Sequence, residues 1–398
     1  MKESKDEQAG QNGVKDKDES AMTEPTDKTA SKAATASAPK RSGRSQNRTV
    51  TVVNVAEEAG VSIATVSNVL NRRDVPLSDE VIRKVEEAAS RLGYRKNRMA
   101  ASLSKQRTNE LGMLIPGFGS YFGQLAEEME NLAHQCGYHL SVFSSRLNPA
   151  KEKRHLEALL ERRVDGLFCH GLTMSHESIK RLVGSETPIM LFNAWEWPSD
   201  AAVGIVNLDF YAACVQAVRY LHAKGCGTLI YLGSKSAEAT DRQRRGGFTE
   251  GCLALPKNCG VHVVEMSDRS AEQAIEEIVR IRAAAGSTGP VGMIGFDDHV
   301  AFGVMMKLLE RGYAVPEQFQ VIGINDEAFA RDSYPSMSTF AIPHKRQAKL
   351  MIEWLLTHLG EGRKLEKAGL DPYAQPAEIK EHHIPVTFVP RMSTEGKG

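Results

Sequence analysis

Two groups of residues in this chain have the types and spacing for molecular recognition. The first is the run Ser62-Ile63-Ala64-Thr65-Val66-Ser67-Asn68-Val69-Leu70-Asn71. At helical spacing it sets Ile63, Ala64, Thr65, Ser67, Asn68 and Asn71 on a small, polar side, opposite Val66 and Leu70. Such a face fits a DNA major groove: Asn68 suits adenine, and Ile63 and Ala64 offer methyl contact to thymine. The second group is dispersed and comprises Gly117-Phe118-Gly119-Ser120-Tyr121-Phe122, Arg242-Gln243-Arg244, Asp297-Asp298 and Asn325-Asp326. Each segment follows an apolar run that reads as a strand. Together they offer charge, hydrogen bonds and aromatic faces to a hydroxylated small molecule.

The first group needs a scaffold, and the flanking residues supply one. Val52, Val55, Ala56 and Ala59 recur at helical spacing up to Gly60, whose left-handed conformation ends a helix. Ser62 then caps a second helix, from about Ile63 to Leu70. Two helices joined by so short a turn cross as a helix-turn-helix, with Ala56, Ala59, Val61, Val66 and Leu70 as a small core. A third helix follows Pro76-Leu77-Ser78, carries Val81, Val85, Ala88 and Leu92 inward and stops at Gly93. A generic three-helix unit with Ser and Thr as mere caps is the competing reading. Against it stand Arg91, Arg95, Lys96, Arg98, Lys105 and Arg107, six basic residues in a stretch without an acidic one, which is the charge pattern of a segment lying along phosphates.

Beyond Arg107 short apolar runs alternate with amphipathic helices. Strands are expected at 111–116, 138–143, 165–169 and 188–192, then at 228–232, 261–266, 291–296 and 319–324, and a last one from Ile384 to Phe388 after a polar loop over 360–381. Helices are expected between them, among them 122–136, 211–223, 244–253, 271–284 and 300–312. Two runs of strand-helix units mean two parallel-sheet lobes, with a ligand cleft between them at the carboxyl ends of the strands. Asp298 is expected to cap the helix starting at His299. Trp195 and Trp197 suit either the cleft mouth or packing at the lobe hinge.

The chain has 398 residues, 50 basic and 50 acidic, so any DNA affinity must come from local charge. No apolar run reaches membrane-spanning length and the N-terminus lacks an apolar signal core, so a cytoplasmic protein with no membrane partner is expected. Six cysteines at unpaired spacing read as core thiols, and His170 and His382-His383 lack ligand-spaced partners; neither a metal nor a cofactor is expected. Residues 1–48 have almost no large apolar side chain and read as a disordered tail. Its acidic residues end at Asp27 and six basic residues follow, consistent with added phosphate contacts or with plain solubilisation. No P-loop, dinucleotide fingerprint, nucleophile elbow or paired-histidine motif appears, which makes binding a simpler function than catalysis. A transported-solute receptor would share two such lobes but would need export and no headpiece.

The run from Thr51 to Leu103 resembles the lactose and purine repressor family of bacterial transcription regulators, and the resemblance extends to Val389-Pro390-Arg391-Met392-Ser393. It implies an all-α helix-turn-helix headpiece (49–95) joined by a hinge helix (96–106) to an α/β two-lobed, periplasmic-binding-protein-like core (107–398). It further implies that Ile63, Ala64 and Asn68 face base edges, that Thr51, Ser62, Thr65, Ser67 and Asn71 hold phosphates, and that Asn97, Arg98 and Leu103 belong to a hinge helix that forms on operator DNA. Leu103 matches the leucine that enters the minor groove. Lys96 stands where the family usually has proline and Ala101 where it often has arginine, implying a looser hinge or altered backbone contacts.

In the core the resemblance places Arg244 as the effector-binding arginine, Asp209 near the lobe crossover, and Phe118, Ser120, Tyr121 and Phe122 against the ligand. Asp297 and Asn325 look exchanged relative to the family's usual asparagine and aspartate. Arg269 follows Asp268 where many members carry a stacking aromatic, which tilts the expected effector toward a sugar acid rather than a neutral sugar. The chain is thus expected to be a sequence-specific, homodimeric repressor, without enzymatic activity, whose affinity for operator DNA is set by a small-molecule effector, a sugar or sugar acid, bound between the core lobes. A protein or phosphoprotein co-regulator is the alternative. The helix 122–136 is a candidate dimer face, although a monomer core explains its apolar residues equally well, and the absence of C-terminal heptads favours a dimer over a tetramer.

Overall fold

A computed structural model describes residues 50–70, 75–94, 107–171, 173–184, 186–198, 200–234, 238–266, 271–286, 289–374 and 380–395. The expected tail and hinge, and with them Asn71, Asn97, Arg98, Leu103 and Arg269, lie outside the described residues. Contacts divide the chain into two compact units, Met1–Lys96 and Asn97–Gly398.

The first unit contains α1 (Val52–Ala59), α2 (Ile63–Leu70) and α3 (Asp79–Arg91). Gly60 ends α1 at φ 67°, a left-handed conformation that glycine adopts without a Cβ clash. Ser62 and Ser78 each accept a backbone N–H of the helix they open, from Thr65 at 3.0 Å and Val81 at 3.4 Å. The core is Val55, Ala56, Val66, Val69, Val85 and Ala88. Val69 takes the buried position expected of Leu70, which is half-buried at the edge of the core.

The second unit starts with a lobe of β1 (Glu110–Ile115), α4 (Ser120–Gln135), β2 (His139–Ser144), α5 (Pro149–Glu161), β3 (Gly166–His170), α6 (His176–Val183), β4 (Ile189–Phe192) and β5 (Gly204–Leu208). The chain then crosses into a second lobe. There it forms α7 (Phe210–Ala223), β6 (Thr228–Ser234), α8 (Glu238–Leu253), β7 (Gly260–Met266), α9 (Ala271–Ala284), β8 (Val291–Gly295), α10 (Asp298–Glu310), β9 (Phe319–Asn325), α11 (Ala328–Asp332) and β10 (Ser338–Ala341). It returns through α12 (His344–His358), α13 (Gly362–Lys367) and β11 (Glu381–Ile384), and crosses once more into β12 (Thr387–Val389) and α14 (Met392–Glu395).

Each lobe holds one six-stranded sheet, in the orders β11-β5-β4-β3-β1-β2 and β12-β10-β9-β8-β6-β7. All recorded pairings are parallel except β12 with β10. The inner strands are buried along their length because helices cover both faces of a parallel sheet. α12 packs on α4 and the first sheet so closely that a Cβ on Gly204 would lie 2.6 Å from Trp354. α4 buries Leu125, Met129 and Ala133 in that same core, so these apolar residues serve the monomer interior rather than a free face.

Four expectations need correction. β5 and β10 went unanticipated because Asn207 interrupts the apolar run of the first and Ser338-Thr339 opens the second with polar residues. The expected last strand over 384–388 is two strands in different sheets, parted at Pro385, which has no N–H to donate to a ladder. The expected loop over 360–381 contains α13, whose Leu365 is buried. Finally, α8 begins at Glu238, so Arg242 and Arg244 lie within a helix rather than at the end of a loop. Among the described residues no helix is long and apolar enough to cross a membrane.

Candidate functional site

In the headpiece, α2 presents an exposed Ile63 (50%) and Ala64, with Thr65, Ser67 and Asn68 half-buried beside them. An exposed isoleucine at a helix start, with Val53 exposed nearby in sequence, contributes nothing to the headpiece core. The two readings of the hydroxyls coexist: Ser62 Oγ caps α2 and lies 2.8 Å from Thr65 Oγ1, while both residues keep surface. Thr51, at the cap of α1, donates from its N and its Oγ1 to Asn54 Oδ1 at 3.0 and 2.9 Å. Arg91 is engaged in part, 3.1 Å from Glu58, and so ties α3 to α1.

In the second unit a cleft of about 800 Å³ opens between the lobes. Its first-lobe lining comes from segments at the carboxyl ends of strands: Pro116, Gly117 and Gly119 to Phe122 after β1, Arg146 and Leu147 after β2, His170, Gly171 and Thr173 at and after β3, and Asn193 to Trp195 and Trp197 after β4. The second lobe adds Phe210 at the start of α7, Thr240, Arg242 and Arg244 of α8 after β6, Phe296, Asp297 and His299 after β8, Asn325 and Glu327 at and after β9, and Ile342 after β10. Parallel strands end here in step, which is why residues far apart in the chain converge.

Three neighbouring arginines of α8 have three different fates. Arg245 pairs with Asp241 at 3.0 Å and Glu265 at 2.9 Å, and Arg242 pairs with Glu196 of the first lobe at 2.9 Å. Arg244 is buried, 4% exposed, with Nη1 donating to the Thr240 carbonyl at 3.3 Å and Nε left without a partner. Its guanidinium lies 3.7 Å from the Phe210 ring centre and 4.4 Å from that of Phe296. Burial lowers its pKa, against the pull of nearby acidic groups that include Asp297 and Asp241. A planar cation flanked by two rings can direct its remaining donors only edge-on, toward ligand oxygens in the cleft.

On the opposite wall Tyr121 donates to Gln347 Oε1 at 2.9 Å and accepts from Asn193 Nδ2 at 2.6 Å. Burial raises the Tyr121 hydroxyl well above its ordinary pKa, so it stays protonated. Asn193 Oδ1 in turn accepts from Leu208 N at 3.2 Å, tying the loop after β4 to the chain's first lobe crossing. His170 closes the floor, edge-on to Phe122 and Phe192, with Nδ1 buried and unpartnered. Burial depresses it to about 4, assisted by Arg244, so the imidazole is neutral. Among the described residues no group of histidine, cysteine or carboxylate side chains is arranged to hold a metal.

Of the expected effector residues, Ser120, Tyr121, Phe122, Arg244, Asp297 and Asn325 line the cleft. Phe118 does not and is 64% exposed; Asp209 is spent capping α7, where it accepts from Ala212 N at 2.9 Å. The expected cap at Asp298 is displaced by one residue. Asp297 Oδ1 accepts from Val300 N at 2.9 Å and caps α10, whereas Asp298 is fully buried behind the cleft wall. Trp195 and Trp197 both line the cleft, and Trp195 also packs 5.8 Å from Phe210 at the lobe crossing. Arg146, His170, Asn193, Phe210, Phe296 and Glu327 line the cleft without having been singled out as ligand contacts. A usable signal existed, because each falls within two residues of the carboxyl end of a strand.

Residues 51–97 match the model of bacterial regulatory proteins of the lacI family, and residues 218–394 match that of a periplasmic binding protein-like domain. The chain is 30% identical over 296 residues to catabolite control protein A of Staphylococcus aureus, covering 74% of this chain and 88% of the relative. It is 28% identical over 300 residues to that of Staphylococcus xylosus. In fold it is similar to a lac repressor dimer bound to operator and the anti-inducer ONPF, with a TM-score of 0.70, 22% identity, and 87% of this chain and 99% of that one covered. It is also similar to a regulator from Alkaliphilus metalliredigens in complex with D-xylulofuranose, with a TM-score of 0.57, 23% identity, and 72% and 99% covered. Headpiece, two-lobed core and these likenesses agree: the chain belongs to the lacI family of bacterial regulatory proteins.

Proposed function

We propose that the protein is a sequence-specific transcriptional regulator, a homodimeric repressor whose hold on operator DNA is set by a sugar bound between the lobes of its core. The observation that carries this reading is Arg244, buried in the cleft between Phe210 and Phe296 with Nε unpartnered. A buried guanidinium left short of hydrogen bonds is costly unless a ligand supplies acceptors.

The cleft favours a neutral polyol over a sugar acid. Arg146, Arg242 and Arg244 line it, but so do Asp297 and Glu327, and Arg242 is bridged by Glu196. Mixed donors and carboxylates beside aromatic faces match the hydroxyls and apolar ring faces of a sugar.

Ile63, Ala64 and Asn68 read base edges in this proposal. Thr51, Ser62, Thr65, Ser67 and Asn71 hold phosphates, and Asn97, Arg98 and Leu103 form the hinge that opens the minor groove. No catalytic step is assigned to any of these residues. The protein acts in the cytoplasm, where operator and sugar are both present. Effector and operator are linked reciprocally, so DNA changes sugar affinity by the factor by which the sugar changes DNA affinity.

Thermal denaturation of the full chain against neutral sugars, sugar acids and sugar phosphates tests the proposal. A ligand at a hundred times its Kd adds about 2.7 kcal/mol of stability. A shift with neutral sugars is expected; a shift with sugar acids alone restores the cationic reading. If no compound shifts the transition, the cleft assignment fails in favour of a protein co-regulator.

A further inference from the structure

Behind the second-lobe wall of the cleft, two consecutive residues hold the backbone on its left-handed side: Asn325 at φ 127° and Asp326 at φ 57°. Neither is glycine, so each conformation is unfavourable by itself and persists only where its surroundings over-determine it. The surroundings here are specific. Arg391 reaches Asp326 Oδ1 from Nη2 at 2.5 Å and donates from Nη1 to the Met337 carbonyl at 3.0 Å. Asp326 N donates to Thr339 Oγ1 at 3.3 Å, and Thr339 Oγ1 donates to Asp298 Oδ1 at 2.6 Å. The other oxygen of Asp298 accepts from Glu327 N at 2.7 Å. Asp298 is wedged against β9, where a Cβ on Gly323 would fall 2.0 Å from its Oδ1. Arg391 is itself fastened, because its N donates to Ser338 Oγ at 2.8 Å and Ser393 Oγ donates to the Val321 carbonyl at 2.6 Å.

We infer that Arg391, Thr339 and Asp298 are positioning residues for the effector site, which hold the strained Asn325–Asp326 bend so that Asn325 and Glu327 line the cleft before any ligand arrives. None of the three lines the cleft itself. Their contribution is pre-organisation: a wall already bent need not be ordered at the expense of binding free energy. The inference takes the cleft to be the effector site, but the clamp is a property of the ligand-free protein and is tested without any effector.

The test is amide hydrogen exchange of the full chain, read at the Asp326 and Glu327 amides and, as a control, across β6. Arg391→Gln and Thr339→Val are each expected to speed exchange at 326–327 at least about tenfold while leaving β6 unchanged, as a local opening does. Thr339→Ser keeps the bridging hydroxyl and is expected to match the parent. Adding Asp326→Gly to Arg391→Gln should restore slow exchange at Glu327, because glycine takes the left-handed conformation without a clamp. Unchanged exchange in Arg391→Gln or Thr339→Val overturns the inference. So does acceleration shared equally by β6, or failure of Asp326→Gly to rescue. If the exchange pattern holds while no sugar stabilises the protein, the clamp stands and the cleft assignment is what fails.

Discussion

Arg242 Nη2 lies 2.9 Å from Glu196 Oε2, an ion pair that joins α8 of one lobe to the loop after β4 of the other. Glu196 sits at φ 68°, and the side chains are 49% and 58% exposed. Solvent screens a pair this open. Glu196→Gln is therefore expected to change stability by less than about 1 kcal/mol, with the difference vanishing at high salt. Denaturation at low and high ionic strength checks this, and a loss that survives in salt would show the pair to be structurally essential.

Arg244 should behave in the opposite way. Replacing it with methionine, of similar length and without charge, removes a desolvated cation but also its ring contacts. Arg244→Met is expected to abolish the sugar response, to leave operator affinity of the free protein intact, and to leave the unfolding temperature unchanged or raised. A marked fall in that temperature would make Arg244 a structural residue.

Two buried groups give stability opposite dependences on pH. Burial raises Asp298 to about 7, from the usual 3.8, although Thr339 and the Glu327 N–H pull it down. Its folded form holds the proton more tightly than its unfolded form, so its contribution is full below pH 4 and is lost as pH rises through 7. His170 is depressed to about 4 from 6.5, so its contribution is full above pH 6.5 and is lost as pH falls through 4. Between these limits the two slopes oppose each other. Asp298→Asn should make the protein lose stability on acidification relative to its parent, and His170→Gln should make it gain. Denaturant titrations from pH 4 to 7.5 read the slopes directly, and two variants that track the parent would remove both assignments.

On DNA, Asn68→Ala should cost about 1–3 kcal/mol at one base position while leaving non-specific binding unchanged. Leu103→Ala should weaken specific operator binding far more than non-specific binding. Equal losses on operator and random duplex, at matched salt, would mean that neither residue reads sequence.

Much of this architecture was legible because the signals are local. Gly60 and Ser62 define the headpiece turn, and the buried strands of a parallel sheet are uninterrupted apolar runs. What escaped was non-local. β10 and β12 are short, and their place depends on pairing with each other at Thr339–Val389, fifty residues apart. The cap at Asp297 rather than Asp298 escaped because either aspartate satisfies a helix start; only the buried site formed by Thr339 and Glu327 distinguishes them. Phe210, Phe296 and the Arg244 they flank come from three segments of the second lobe that are distant in the chain, and no local pattern joins them.

The chain passes between lobes three times, at 208–210, 341–344 and 384–387, and this has a consequence for how the protein is made. Five strands of the first sheet are complete by Leu208 and five of the second by Ala341; the first then waits for Glu381–Ile384 and the helix over His344–His358, the second for Thr387–Val389 and the helix over Met392–Glu395. During synthesis neither lobe is expected to become fully protease-resistant before the last residues are made, as arrested nascent chains ending near residue 345 and at 398 would reveal. Whatever sugar enters the cleft therefore meets a site both of whose halves are finished only by the last segment of the chain to be translated.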